Sequence, residues 1–218
     1  MRKISSYVVA ATVLLALALC PVVARADQTE IITLGSIVYD QFTTPSNFGT
    51  LFPGPYATVT VDLTSSTTAN ITFASSGLFY MGDGGAAALN VNGSYTLSSL
   101  MDTANVVAVS SGGVDNAGTF SLVIYNSDAS GGPGLVQTIS FTLTDTSGSW
   151  ADPADVLVAN GDGNEALSHI HVQPGGLCTV TSGNCHAYAG VPEPPVSALL
   201  ACSALLFGGL FLRRPLWS

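Results

Sequence analysis

Apolar and polar residues alternate along four stretches of this chain. ATVTVDL (57–63) sets Val59, Val61 and Leu63 on one side, with Thr58, Thr60 and Asp62 on the other. ANITFAS (69–75) does the same with Ile71 and Phe73, and TFSLVIYN (119–126) with Phe120, Leu122 and Ile124. LVQTISFTLTD (135–145) sets Ile139, Phe141 and Leu143 against threonines and a serine. Side chains two apart share a face only on a strand, so each stretch predicts a β-strand with one buried face. Shorter candidates are EIITLGSIVY (30–39), GLFYM (77–81), SYTL (94–97), NVVAVS (105–110) and LSHIHV (167–172). Turn-forming clusters such as FPGP, GDGG, NVNG and SSGGVDNAG separate them. No sustained helical period is present; one short helical turn is expected at Asp152-Pro153, where an aspartate caps and a proline suits the first turn. The pattern predicts a mainly β fold, an antiparallel β-sandwich of jelly-roll or Ig-like type, over residues 27–190.

Two apolar runs do not alternate, and they flank that domain. The chain opens with Arg2 and Lys3, then an apolar stretch from Tyr7 to Cys20, then Ala24-Arg25-Ala26. This is the layout of a secretory signal peptide over residues 1–26, cut by signal peptidase before Asp27. At the other end, Val196 to Leu212 is an uncharged run of 17 residues. As a helix at about 1.5 Å per residue it spans about 26 Å, which suits a transmembrane helix over 196–212. Arg213 and Arg214 follow and hold the cytoplasmic side, leaving the β domain outside. Val191-Pro192-Glu193-Pro194 precedes the run as a stiff, extended spacer.

That tail resembles the PEP-CTERM sorting signal. The matching positions are Val191, Pro192, Glu193, Pro194, Ala198, Leu199, Leu200, Arg213 and Arg214; Pro195 and the terminal Pro-Leu-Trp-Ser depart from the usual pattern. The resemblance implies a bacterial protein whose tail is processed near Pro-Glu-Pro by the membrane enzyme exosortase, in cells that make extracellular polysaccharide. Phe120 to Val172 also resembles a recurrent domain of uncharacterised PEP-CTERM proteins, which implies no known activity. The function expected is a structural or adhesive protein of the cell surface or biofilm matrix. The alternative is a carbohydrate- or calcium-binding module at the cell surface.

Charge narrows the partners. All five Lys and Arg are terminal, and residues 27–190 contain none. Thirteen of the fourteen acids lie in that span, for a net charge of −13 with neutral His. Such a domain cannot neutralise a phosphate backbone, so nucleic-acid binding is excluded. Cations are its natural partners. Of four cysteines, Cys20 leaves with the signal and Cys202 lies in the apolar tail. Cys178 and Cys185 are expected to form a disulfide after export.

Candidate chemistry is sparse. His169 and His171 share a strand face, and Cys185 and His186 follow. A zinc site can be drawn from them, but the spacing differs from paired zinc motifs and the cysteines suit each other better. Ordinary strand histidines are the expectation. Asp162 and Glu165 in NGDGNE are candidate calcium ligands, although the spacing is not that of an EF-hand; Asp83 in MGDGGA is a lesser candidate. The chain has no G-x-S-x-G and no H-E-x-x-H. Asp152 and Asp155 are expected at a helix start rather than as a catalytic pair, and no enzyme activity is expected. Trp150 is expected to anchor the core rather than to stack on a sugar.

Overall fold

The computed structural model describes residues 28–40, 48–101, 106–109, 111–126, 135–172 and 185–191. The expected signal peptide, the tail beyond Val191 and Cys178 lie outside these residues. Among the described residues no helix is long and apolar enough to cross a membrane.

The fold is mainly β, with every strand pairing antiparallel. In chain order the strands are β1 (Gln28–Leu34), β2 (Ser36–Asp40), β3 (Ala57–Ser65), β4 (Thr68–Ser75), β5 (Phe79–Met81), β6 (Ala87–Leu89), β7 (Tyr95–Met101), β8 (Val106–Val109), β9 (Gly112–Val114), β10 (Gly118–Phe120), β11 (Leu122–Asn126), β12 (Thr138–Asp145), β13 (Ala166–Val172) and β14 (His186–Gly190). One helical turn, α1 (Phe48–Leu51), follows β2, and a 3-10 turn spans Pro153–Asp155. A five-stranded sheet runs β1-β3-β4-β12-β7, and a seven-stranded sheet runs β2-β14-β13-β6-β11-β8, with β5 also on β13. Strands β9 and β10 form a separate hairpin. The chain crosses between the two large sheets at Gly35, so EIITLGSIVY supplies two strands to two sheets rather than one.

Alternation explains the five-stranded sheet. Val59 pairs with both Ile32 and Phe73, and Ile71 with both Val61 and Phe141, all on the buried face. Each such side chain contributes about 1.5–3 kcal/mol by leaving water. This face shares one core with Leu89, Leu122, Ile124, Ile170, Ala187 and Ala189 of the seven-stranded sheet. Trp150 joins it, nearly fully buried, with Nε1 donating to the Asn92 carbonyl at 3.1 Å. The anchor reading of Trp150 therefore describes its position.

The seven-stranded sheet has a second packed face. Ala88, Val123, Leu167 and Tyr188 on its outer side are covered by Val114, Ala117 and Phe120 of the β9–β10 hairpin. This corrects one expectation: Phe120 does not share a face with Leu122 and Ile124. The strand breaks at Ser121, whose Oγ accepts from the Val91 N–H at 2.7 Å, and Phe120 turns to the outer cluster. With both faces covered, every residue of β13 is buried, histidines included.

Candidate functional site

β5 and β6 both pair with β13, yet they are not one continuous strand. Met81 opposes Ile170, whereas Ala88 opposes Leu167. Seven steps along one side therefore face three along the other, and four extra residues must loop out. The loop spans the five residues Gly82 to Ala86, four more than a continuous strand would place there. The backbone of His169 holds both its ends: Gly82 N–H donates to the His169 carbonyl at 3.2 Å, and His169 N–H donates to the Gly85 carbonyl at 2.9 Å. Ser168 Oγ adds a bond to the Ala86 carbonyl at 2.6 Å, and Tyr188 Oη one to the Gly84 carbonyl at 3.0 Å. The loop needs left-handed backbone at Asp83 (φ 59°) and Gly85 (φ 80°), a conformation open to glycine and more accessible to aspartate than to most residues.

This loop carries Asp83 over the histidines. His169 and His171 point to the same face of β13, where their direct partners on β14 are Tyr188 and His186. The His169 ring stacks on Tyr188 with centroids 4.3 Å apart, and the His171 ring on His186 at 5.2 Å; both pairs lie within 17° of parallel. His169 Nε2 and His186 Nδ1 are 2.7 Å apart, one donating to the other. Asp83 Oδ2 lies 3.2 Å from His171 Nε2, within ion-pair distance but without a hydrogen bond. Asp83, His169 and His171 each offer a ligand atom, and these atoms lie within 4.8 Å of one another. Each of the three also has a buried side-chain atom with no hydrogen-bond partner: Asp83 Oδ1, His169 Nδ1 and His171 Nε2. Leaving one such atom unsatisfied costs about 1–3 kcal/mol.

Burial sets the electrostatics. It pushes His169 down to about 2, aided by the neighbouring His171 and His186, so its imidazole is neutral at any ordinary pH. His186 is also lowered, by burial first and then by His171, while Asp83 and Asp40 pull the other way. Burial raises Tyr188, with Asp115 and Asp83 adding to the effect, so its hydroxyl keeps the proton it donates to Gly84.

No family model, curated protein or solved structure matches the chain. The functional reading therefore stands on the residues themselves.

The other candidate residues are occupied in turns. Asn160 Oδ1 accepts from the N–H groups of Asp162 and Asn164, at 3.0 Å each, and closes the NGDGN loop on itself. The Asn160 side chain then ties the loop to the Ala117 carbonyl at 2.9 Å. Among the described residues, Asp162 and Glu165 join no group of three metal-type ligands. Asp152 and Asp155 form a capping box on the 3-10 turn: Asp152 Oδ1 accepts from Ala154 N–H, and Asp155 Oδ2 from the N–H groups of Ala151 and Asp152. That is the helix-start role expected of them. Cys185 is buried and disulfide-bonded, so it is not an available ligand; Cys178, its expected partner, lies outside the described residues. Sequence reasoning placed His169 and His171 on one face but did not join Asp83 to them. The only available signal was GDGG, a run able to make a left-handed turn.

Proposed function

We propose that this chain is an exported bacterial protein delivered to the cell surface or extracellular matrix by exosortase. It has a structural or adhesive role beside exopolysaccharide or in biofilm. The observation that carries this reading is the tail from Val191 to Arg214: a Pro-Glu-Pro spacer, a 17-residue apolar run and an arginine pair, on a chain whose residues 1–26 have the layout of a signal peptide. Three features of the domain support it. The two sheets share one core, the arrangement of a β-sandwich, which surface modules commonly use. Cys185 carries a disulfide, which suits an oxidising exterior. The span 27–190 has no Lys or Arg, which leaves it without arginine clamps or lysine nucleophiles.

The test is the intact mass of the protein recovered from its host, with the sorting enzyme present and deleted. A C-terminus near Val191 to Pro194 only when the enzyme is present is the expected result. A tail intact to Ser218 in both strains would sink the sorting reading and leave a membrane-anchored surface domain.

A further inference from the structure

We propose that Asp83, His169 and His171 bind a divalent transition ion of the zinc class, with His186 as the residue that orients His169. The inference goes beyond the export reading and does not depend on it.

Four observations carry it. The three donors come from two elements far apart in sequence, yet their ligand atoms converge within 4.8 Å. Donors at about 2.0–2.2 Å from one tetrahedral zinc stand roughly 3.4 Å apart. The 3.2 Å between His171 Nε2 and Asp83 Oδ2 already has about that separation, and the widest donor pair, within 4.8 Å, has at most about 1.4 Å to close on binding. Second, the two histidines are nearly fully buried, and each of the three residues has a buried side-chain atom that makes no hydrogen bond. Third, no Lys or Arg exists between residues 27 and 190 to neutralise Asp83. Fourth, His169 already has one ring nitrogen bonded to His186, as a metal-ligating histidine does when its second nitrogen fixes the ring.

The donor set selects the ion. Calcium takes six to eight oxygens, whereas two imidazoles and one carboxylate suit zinc and its first-row neighbours. Three protein donors leave a position for water or another oxygen ligand, the layout of open rather than closed zinc sites. Bound there, the ion would fasten the Gly82–Ala86 loop to β13.

The experiment uses the full chain in detergent, stripped with a chelator. Zinc is titrated in competition with a chromophoric chelator, and cobalt is followed by its visible bands. One tight equivalent is expected, with cobalt bands of four-coordinate type. Asp83→Asn keeps the size and tolerates the left-handed backbone. It should weaken zinc by more than about 100-fold, beyond the 10–100-fold range of an orienting residue, and His186→Gln should fall within that range. Asp162→Asn should bind as the parent does. Circular dichroism verifies that each variant is folded. If Asp83→Asn does not fold, the parent chain decides: its melting temperature should rise with saturating zinc. Absence of a stoichiometric ion, unchanged affinity in folded Asp83→Asn, or a melting temperature indifferent to zinc each overturns the proposal.

Discussion

Replacing Trp150 with alanine tests whether this tryptophan holds the domain together or waits for a sugar. Its ring is about 2% exposed and sits in the main core. Its backbone N–H donates to the Ser66 carbonyl at 2.7 Å, and its Nε1 donates to the Asn92 carbonyl at 3.1 Å. The residue thus ties the segment after β12 to the β3–β4 turn and to the loop before β7. Truncation of a buried tryptophan to alanine costs about 3–5 kcal/mol, mostly from the cavity it leaves. For a domain of this size each kcal/mol lowers the melting temperature by about 2–4 °C, so the fall should be roughly 6–20 °C. Trp150→Phe keeps most of the ring and loses one hydrogen bond and some contact; it should cost about 1–2 kcal/mol. Thermal unfolding followed by far-ultraviolet circular dichroism reads both. A sugar platform makes the opposite forecast. Trp150→Ala would then melt within about 2 °C of the parent and lose oligosaccharide binding, and that result would refute the anchor argument.

Three further outcomes follow from the same geometry. Cys185→Ser should lower stability by about 2–4 kcal/mol, matched by the effect of reductant on the parent; equal melting temperatures with and without reductant would contradict it. Asp155→Ala removes the acceptor for two backbone N–H groups at the 3-10 turn and should cost about 0.5–2 kcal/mol in denaturant unfolding; a variant as stable as the parent counts against the cap. Asp145 accepts from the Ser147 N–H, the Gly148 N–H and the Ser147 hydroxyl, and these bonds hold its carboxyl below the usual value. A lowered folded value means that its contribution to stability is present above the ordinary aspartate range and is lost as pH falls through the folded value. Glu30 runs the other way. Burial, then Glu165 and Asp152, raise it, so ionising it costs stability as pH rises through the folded value. Carbon-detected NMR titration of both carboxyls should place them on opposite sides of their ordinary values.

The strands that period-two patterning revealed are those with one wet and one dry face. β3, β4 and β12 read clearly because threonines and serines alternate with Val, Ile, Phe and Leu. β6 (AAL) and β9 (GGV) went unseen because Ala and Gly carry almost no strand signal. β14 (HAYAG) went unseen for the same reason, although its alanines lie in the main core and its tyrosine in the outer cluster. TFSLVIYN misled because period two continues through Ser121, while the strand breaks at that serine, whose hydroxyl accepts from Val91 N–H, and Phe120 lies in the opposite layer. Of the candidate site, the H-x-H pair was legible as two side chains on one face. Its burial was not, because that depends on β14 supplying Tyr188 and His186 beside the pair and on the Gly82–Ala86 loop bringing Asp83 to it. Asp83 was still less legible. It reaches the histidines through a four-residue mismatch between two pairings of the same strand, which only the register reveals.

A domain without lysine or arginine has to find other partners for its carboxylates, and the structure shows which. Asp40 accepts from the Phe48 N–H at the start of α1, Asp145 from a turn after β12, and Asp152 and Asp155 from each end of one capping box. Backbone N–H groups at turns and helix starts are the positively polarised groups that such a chain has in supply. Asp83 departs from this pattern. Its own loop is closed by backbone groups bonding to His169, by Ser168 and by Tyr188, so the carboxylate is not needed as a cap. It is turned instead onto two buried imidazoles, with one oxygen left unpartnered. The span 27–190 has no Lys or Arg to set against that carboxylate. A cation-free acidic domain and a converging set of two buried imidazoles and one carboxylate are therefore two sides of the same argument, and both point to an ion acquired after folding.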